Sequence, residues 1–426
     1  MVRVPHWPKT FGKNIIDLKL TRVNKLLNRL GNPQNHLPPV IHVAGTNGKG
    51  STIAFIDAIC QTAKLRVHKY TSPHLVRYNE RIQIANQEIN DHQLFEILEK
   101  VRKYAVGLEI TFFEATTVAA FLAFATITAD IVLLETGLGG RLDATNVITH
   151  PLLSVITPIA LDHMELLGDN VVTIAKEKAG ILKNNCSCVF SMQETAVMEK
   201  MYSIATKLSC RKFSWGKEWS FQIFNNSFIY YGINKFILPK PSLLGDHQIL
   251  NAATAIAAIE NITQHFYITE EHIKTAIVTV KWPARMEKII KGSLPKLLKK
   301  EDELWIDGAH NSFGAQTLVA TLSSMPQKHT ILINGRSKNK DIEGFLRPFR
   351  NSVAKVIAIA AKCEPTGEEP EKIRKSAEIL GFESFVAKNI SNAIKLCVKL
   401  ADSLPVRIII CGSLYLAGDI LETNKE

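Results

Sequence analysis

Short apolar segments of strand length alternate with helical segments along the chain, and this pattern restricts the possible folds more than any other feature. In the first part of the sequence, such runs occur at residues 40–45, 66–72, 130–137 and 152–157. Continuous apolar runs of this length are typical of parallel strands that are buried on both faces of a sheet. The sequence therefore predicts an α/β fold with a mainly parallel sheet.

A second, smaller alternation follows, in the segments ELWIDGAH, HTILING, AKVIAIA and VRIIICG. It is typical of a doubly wound, Rossmann-like α/β domain. A chain of 426 residues is too long for one ordinary core, so two domains are expected. The basic segment 288–300 is the predicted join, although it could also pair as strands. We therefore predict a large N-terminal domain at 1–287 and a smaller C-terminal domain at 288–426, with an aromatic hairpin excursion at 213–238.

The stretch HVAGTNGKGST lies between a predicted strand and a predicted helix, which is the context that a phosphate-binding loop requires. Glycines let backbone N–H groups surround phosphate oxygens, and the helix N-terminus adds partial positive charge. The residue after Lys49 is Gly50, however, where the common pattern has a hydroxyl that holds magnesium. A plain strand-to-helix turn remains the alternative. The predicted nucleotide contacts are Gly45, Thr46, Asn47, Gly48, Lys49, Gly50 and Ser51.

Several polar residues follow other predicted strands. Glu135 ends a buried strand and is a natural magnesium ligand beside a phosphate loop, unless it forms a salt bridge to a lysine. Ser72, in TSPH, could equally cap a helix. The pairs Asp162–His163 and Lys176–Lys178 are by themselves compatible with solvated charges.

Composition and charge exclude some classes of function. The formal net charge of +11 suits nucleic acid or small anionic substrates, but no nucleic-acid-binding motif accompanies it. The most apolar window, 115–134, is interrupted by Asp130 and predicts a buried helix followed by a buried strand, not a membrane span. The N-terminal stretch MVRVPHWPKTFGKN has no apolar export region. We therefore expect a cytoplasmic protein that binds neither nucleic acid nor membrane.

Nine segments in fixed order carry a family resemblance: HVAGTNGKGST, YTSPHLVRYNERI, TFFEATT, LLETGLGGRLDATN, LDHMELLG, EKAGIL, GDHQILNA, WPARMEK and WIDGAHN. Together they closely resemble the folylpolyglutamate synthase and dihydrofolate synthase family, within the ATP-dependent Mur-type amide ligases. The general sequence is most similar to the bacterial type with both activities. The resemblance runs from about residue 18 to about residue 341, and more loosely to the C-terminus.

The resemblance implies a set of site residues. Besides the glycine loop, it places Asn251, Arg285 and Asp307 around ATP and His310 near the incoming glutamate. Magnesium, as two ions, would be held by Ser72, Glu135 and His163, so that Ser72 replaces the hydroxyl missing at Gly50. The pterin substrate would lie against Thr111, Phe112, Phe113, Glu114, Leu142, Asp143 and Ala144.

The implied chemistry is activation of a carboxylate by ATP to an acyl phosphate, followed by attack of L-glutamate to form an amide. Lys49, Lys178 and His310 are the implied catalytic residues, and Lys178 could carry a carbamate or act as a bare cation. The implied substrates are ATP, L-glutamate, dihydropteroate and reduced folates, and a monomer is expected. The alternatives are a single one of the two activities, a small-molecule kinase, or a nucleic-acid-binding ATPase.

Three departures from the family pattern are visible in the sequence. Thr136 stands where the family usually has valine, and we expect this to change packing only. WPAR, at residues 282–285, replaces the commoner P-G-R, which keeps Arg285 but alters the turn before it. The stretch NGRSKNKD also departs from the family, and residues 338–341 are assigned no role.

Overall fold

The structure is a computed structural model, and it describes residues 18–338, 340–361, 367–402 and 404–425. The stretch MVRVPHWPKTFGKN, for which no export region was predicted, and Asn339, in the stretch without an assigned role, lie outside the described residues. The chain forms two compact units. The first contains Tyr78–Ser242, Gln248–Val280 and the described residues up to His74. The second contains Leu75–Arg77, Leu243–His247 and the chain from Lys281 onward. The predicted boundary after residue 287 stays a prediction.

The first unit is built on an eight-stranded sheet with the order β4-β3-β2-β5-β1-β6-β7-β8. Its strands are β1 Val40–Ala44, β2 Val67–Tyr70, β3 Ile82–Ile84, β4 Gln87–Glu88, β5 Ile131–Glu135, β6 Leu153–Ile156, β7 Ser187–Phe190 and β8 Lys212–Ser214. Strands β2, β5, β1, β6, β7 and β8 are parallel to one another, and β3 and β4 add an antiparallel edge beside β2. All five residues of β1 and of β5 are buried, as expected for central strands.

The helices of the first unit cover this sheet. They are α1 Leu20–Arg29, α2 Lys49–Thr62, α3 Asp91–Tyr104, α4 Phe112–Phe124, α5 Met164–Leu167, α6 Val171–Lys178, α7 Thr195–Lys207, α8 Asp246–Glu260 and α9 Glu270–Thr279. Helix α4 and strand β5 together account for the apolar window that was predicted to be a helix followed by a strand. No helix in the described part of the chain is long and apolar enough to span a bilayer.

The aromatic excursion is a three-stranded antiparallel sheet, with β9 Ser220–Phe224, β10 Ser227–Tyr231 and β11 Lys235–Pro239. Its predicted start at residue 213 was wrong, because Phe213 belongs to β8 and pairs with Val189 of the large sheet. The buried Glu260 carboxylate at the end of α8 accepts hydrogen bonds from Tyr230 Oη and from the backbone N–H of Asn234. These bonds fix the small sheet to the end of α8.

The second unit has a six-stranded sheet with the order β12-β13-β17-β14-β15-β16. Its strands are β12 Glu287–Lys288, β13 Glu303–Ile306, β14 His329–Asn334, β15 Lys355–Ala358, β16 Glu383–Val386 and β17 Val406–Cys411. Its helices are α10 Ser312–Ser323, α11 Ile342–Leu346, α12 Pro370–Ile379, α13 Ile390–Leu400 and α14 Leu414–Thr423. The basic segment after residue 287 therefore begins as a strand, since β12 pairs antiparallel with β13.

Helices cover both faces of this second sheet. Ile408 and Ile410 of β17 belong to an apolar cluster with residues of α13 and α14, whereas Ile409 and Cys411 belong to a second cluster with residues of α10, α11 and α12. Alternate residues of one strand point to opposite faces, so the two clusters lie on opposite sides of the sheet. The prediction of a doubly wound C-terminal domain is confirmed, as is the α/β fold class.

Candidate active site

The glycine loop joins β1 to α2, as the sequence predicted. Its shape depends on two glycines with positive φ: Gly45 at 154° and Gly48 at 84°. A Cβ atom on Gly45 would lie 1.8 Å from Thr157 Oγ1, and one on Gly48 would lie 2.5 Å from Asn251 Oδ1. Neither position therefore tolerates a side chain. Asn251, predicted beside ATP, packs directly against this loop.

Hydrogen bonds to the segment that follows β6 also fix the glycine loop. The backbone N–H groups of Thr46 and Asn47 donate to Pro158 O at 2.9 and 3.2 Å, and the Thr46 hydroxyl donates to Ala160 O. Helix α2 begins at Lys49, so Gly50 and Ser51 lie in its first turn and are buried. A glycine loop that leads directly into a helix N-terminus is the arrangement that binds phosphate.

Two lysines meet at this loop. Lys49 Nζ donates to Gly45 O at 3.2 Å, and Lys178 Nζ donates to the same oxygen at 2.9 Å. Lys178 is 5% exposed. Burial and then the charge of Lys49 lower the pKa of Lys178 to about 7, while Asp162 acts in the opposite direction. Beside Lys49, the loop therefore holds a Lys178 amine that is partly neutral near pH 7.

Ser72 and Glu135 are brought together by the strand order. Tyr70 of β2 pairs with Leu134 of β5, and Glu135 pairs with Val43 of β1, so these strand ends lie side by side. The backbone N–H of Ser72 donates to Glu135 Oε2 at 3.1 Å. A hydroxyl and a carboxylate at this edge are oxygen donors of the kind magnesium prefers.

His163 is the third predicted metal ligand. It precedes α5 with φ of 50°, its side chain is 35% exposed, and its Nε2 lies 3.9 Å from Asp162 Oδ1. Among the described residues, no group of three or more His, Cys, Asp or Glu side chains could hold a metal alone. Magnesium usually binds through one or two carboxylates and completes its shell with water and substrate phosphates.

The glycine-rich turn after β5 packs against the end of α6. A Cβ atom on Gly140 would lie 2.7 Å from Lys178 O, and one on Gly180 would lie 2.3 Å from Arg141 Cα. The backbone N–H of Arg141 donates to Glu177 O at 2.7 Å. These two close approaches explain the glycines in GLGGR and EKAGI, because they allow the backbone contact that places Lys178 at the loop.

Phe112, predicted to face the pterin, is part of an aromatic and cationic cluster. Tyr78 meets its ring edge-on with centroids 5.6 Å apart, and the Arg81 guanidinium lies 5.2 Å from its centroid. Arg81 is 4% exposed and donates from Nε to His74 Nδ1 at 2.7 Å. Sequence analysis missed Arg81, because nothing in YNERI separates it from an ordinary surface arginine.

Thr111 and Glu114, also predicted substrate contacts, form the capping box of α4. The Glu114 carboxylate accepts from Thr111 N at 2.8 Å and from Arg22 Nη2 at 3.0 Å, and the residue is 5% exposed. These bonds hold α1 and the start of α4 in place. Thr111, Phe112 and Phe113 are half-buried, whereas Glu114 is buried.

The second predicted substrate segment is similarly anchored. Asp143 is 1% exposed, and its carboxylate accepts from Leu138 N at 2.8 Å, Thr145 N at 3.0 Å and Thr145 Oγ1 at 2.5 Å. Burial raises the pKa of this carboxyl, and these hydrogen bonds act in the opposite direction. Leu142 is half-buried and Ala144 is buried.

The second unit groups Arg285, Asp307 and His310. Asp307, at the end of β13, accepts from the backbone N–H groups of Met286 and Ala309, both at 2.8 Å. Burial raises its pKa, and the positive charge of Arg285 acts in the opposite direction. His310 Nδ1 donates to Gly308 O at 3.0 Å. Ala284, in the altered turn, has φ of 55°, a conformation that the glycine of P-G-R would adopt more easily.

The expectation that Thr136 changes only packing was wrong. Its hydroxyl lies 3.2 Å from Nε2 of His42, a fully buried histidine on β1. A valine could pack in this place but could not form the contact. Sequence analysis had no signal for it, since the two residues are 94 positions apart.

Comparison with known proteins agrees with this geometry. Residues 43–259 match the family model described as Mur ligase middle domain, and residues 288–423 match Dihydrofolate synthetase, C-terminal domain. A probable dihydrofolate synthetase of Schizosaccharomyces pombe is 33% identical, with 96% of this chain and 99% of that protein covered. The dihydrofolate synthase/folylpolyglutamate synthase of Bacillus subtilis is 30% identical, with 95% of each covered.

Solved structures are also similar over nearly the whole chain. Escherichia coli FolC in complex with DHPP and ADP is 28% identical with a TM-score of 0.86, covering 97% of this chain and 95% of that one. A bifunctional folylpolyglutamate synthase/dihydrofolate synthase with Mn, AMPPNP and L-glutamate bound is 27% identical with a TM-score of 0.85, covering 98% and 97%. The chain therefore belongs to the dihydrofolate synthase/folylpolyglutamate synthase family of Mur-type ligases.

Proposed function

We propose that this protein is an ATP- and magnesium-dependent ligase that joins L-glutamate to the carboxylate of a pteroate or folate. The observation that carries the proposal is the convergence of Lys49 and Lys178 on Gly45 O, within a glycine loop that begins α2. This arrangement suits a triphosphate whose terminal group is transferred, because the lysines and the helix N-terminus stabilise the charge on the phosphate oxygens.

The proposed reaction has two steps. A carboxylate oxygen of the pteroate attacks the γ-phosphorus of ATP, the bond to the β-phosphate oxygen breaks, and ADP leaves. The glutamate amino nitrogen then attacks the acyl carbon of the resulting acyl phosphate, inorganic phosphate leaves, and the nitrogen loses a proton. The protein contributes positioning and charge, not covalent chemistry.

Each group of residues has a proposed part in this reaction. Asn251 and the glycine loop are proposed to bind ATP, and Arg285 and Asp307 are also proposed ATP contacts. Magnesium, proposed as two ions held by Ser72, Glu135 and His163, would neutralise phosphate charge when bound. His310 is proposed to contact glutamate. The half-buried Phe112, Phe113 and Leu142 would contact the pterin, with Thr111, Glu114, Asp143 and Ala144 shaping that surface.

We further propose that one protein performs both dihydrofolate synthesis and extension of reduced folates. The likeness to the bifunctional Bacillus subtilis enzyme supports both activities, whereas the Schizosaccharomyces pombe relative is named for the first one alone. The alternative is therefore dihydrofolate synthase activity by itself. A monomer in the cytoplasm is also proposed, and light scattering and cell fractionation test these two points.

A single set of incubations tests the function. Purified protein receives ATP, magnesium and L-glutamate together with either dihydropteroate or tetrahydrofolate, and the products are identified by mass. Both activities predict one added glutamyl residue on each acceptor. Product from one acceptor alone reduces the proposal to a single activity. ADP formation that does not depend on glutamate would instead identify a kinase, and Lys49→Ala protein serves as the inactive control.

A further inference from the structure

The central strand β1 carries a buried histidine to which the proposed reaction gives no part. His42 is 0% exposed, and its Nε2 lies 2.9 Å from Thr145 Oγ1 and 3.2 Å from Thr136 Oγ1. Its Nδ1 is buried without a hydrogen-bond partner among the described residues. Burial and the charge of Lys183 lower the pKa of His42 to about 3, so its ring is neutral at pH 7.

The hydrogen bonds around Thr145 determine which ring nitrogen carries the proton. The Asp143 carboxylate accepts backbone N–H bonds from Leu138 and Thr145, as an ionised acid does. The single hydroxyl hydrogen of Thr145 points to Asp143 Oδ1 at 2.5 Å. Thr145 Oγ1 can therefore only accept from His42, which requires a hydrogen on Nε2 and leaves Nδ1 as the buried, unprotonated nitrogen.

This chain of bonds ends in the segment proposed to contact the pterin. His42 donates to Thr145, Thr145 donates to Asp143, and Asp143 holds the turn through Leu138 N. The side-chain bonds of His42 lead only to the loop that follows β5 and not to the glycine loop. Its loss would therefore affect the pterin segment before it affects ATP.

We propose that His42 is a positioning residue for the pteroate substrate: its Nε2–H directs the Thr145 hydroxyl to Asp143 and so holds residues 142–144 in the shape that receives the pterin ring. The proposal rests on the proposed function. In this arrangement the Thr136 hydroxyl oxygen is a second acceptor for the Nε2 hydrogen of His42.

Steady-state kinetics of three variants test the positioning role. His42→Leu removes the donor, and His42→Gln can restore an N–H at a similar place. His68→Gln is the matched control, because His68 is also fully buried in the same sheet, on β2, but bonds to Ile127 O. We expect His42→Leu to raise KM for dihydropteroate about tenfold, the effect of one unsatisfied buried hydrogen bond, with KM for ATP changed less than twofold. His42→Gln should recover most of this loss, and His68→Gln should change neither KM.

Equal changes in both KM values, or no change in His42→Leu, would overturn the positioning role. Should His42→Leu fail to fold, the wild-type protein supplies an independent measurement. With ¹⁵N-histidine labelling, the His42 resonance, assigned by its loss in His42→Gln, should show the neutral Nε2–H tautomer at pH 7. An Nδ1–H tautomer or a charged ring would refute the proposal. Absence of any ligation in wild-type protein would refute the proposed function instead, because the tautomer does not depend on activity.

Discussion

The buried Lys178 side chain should lower the free energy of unfolding of the protein, although the proposed reaction requires this residue. Its ammonium group is removed from water, and its pKa falls from 10.5 to about 7. The residue is 5% exposed, so solvent screens the cost only weakly. We therefore expect Lys178→Met, which keeps the length of the side chain and removes the amine, to unfold at a higher urea concentration than the wild type while losing ligation.

The magnitude follows from linkage. Between pH 7 and pH 10.5 the folded state binds fewer protons than the unfolded state, so the stability contributed by this group rises with pH. A shift from 10.5 to about 7 corresponds to a cost of about 4 kcal/mol at pH 7 and about 1 kcal/mol at pH 9.5. The methionine also loses the hydrogen bond to Gly45 O, worth about 1 kcal/mol. The net gain in the free energy of unfolding should be about 3 kcal/mol at pH 7 and near zero at pH 9.5.

Urea titrations at the two pH values, in buffer free of carbon dioxide and nucleotide, measure this difference. The matched control is Lys176→Met, the same substitution at an exposed position of α6. It should change the free energy of unfolding by no more than about 0.5 kcal/mol at either pH. The reasoning is refuted if Lys178→Met is less stable than the wild type at pH 7, or if its advantage does not shrink at pH 9.5.

Three further outcomes are expected from the site. Lys49→Ala should lower the rate of ligation at least about 100-fold without changing the circular dichroism spectrum, because the transferred phosphoryl group loses a stabilising charge; activity within a few-fold of wild type would contradict this. Ser72→Ala and Glu135→Gln should both raise the magnesium concentration needed for half-maximal rate, and Glu135→Gln more so since it loses a charge; unchanged titrations would remove both from the metal site. Activity lost in Lys178→Ala should be partly restored by a short carboxylic acid if the amine carries a carbamate, whereas rescue by a small amine would indicate a bare cation.

The sequence predicted the elements better than the contacts between them. The apolar runs and the glycine loop predicted β1, α2 and β5 because burial and helical periodicity are local properties. The bond between Lys178 and Gly45 joins residues 133 positions apart, and the one between Arg22 and Glu114 joins residues 92 positions apart. Such pairs depend on the order of strands in the sheet, which no local pattern contains.

Some predicted site residues have a structural explanation that the sequence could not supply. Glu114 and Asp143 were assigned to the substrate on the resemblance, and the structure shows both carboxylates bonded to their own surroundings. A carboxylate that holds a loop and one that contacts a ligand look alike in a sequence, because only burial and hydrogen-bond partners separate them. Substitution of either residue would therefore change the shape of the pterin segment even if neither touches the substrate.

The consequence of Gly50, the residue after Lys49 that departs from the common phosphate-loop pattern, also depends on contacts that the sequence does not contain. Gly50 lies in the first turn of α2 and is buried, so the hydroxyl missing there has to come from elsewhere if magnesium is bound. Strand β5 lies between β1 and β2, and its last residue, Glu135, accepts from Ser72 N. A hydroxyl two residues beyond β2 can thus reach the edge of the sheet where the loop begins. The proposed metal site would be assembled from neighbouring strands instead of from the loop itself, and the strand order, not the loop sequence, would then determine where magnesium binds.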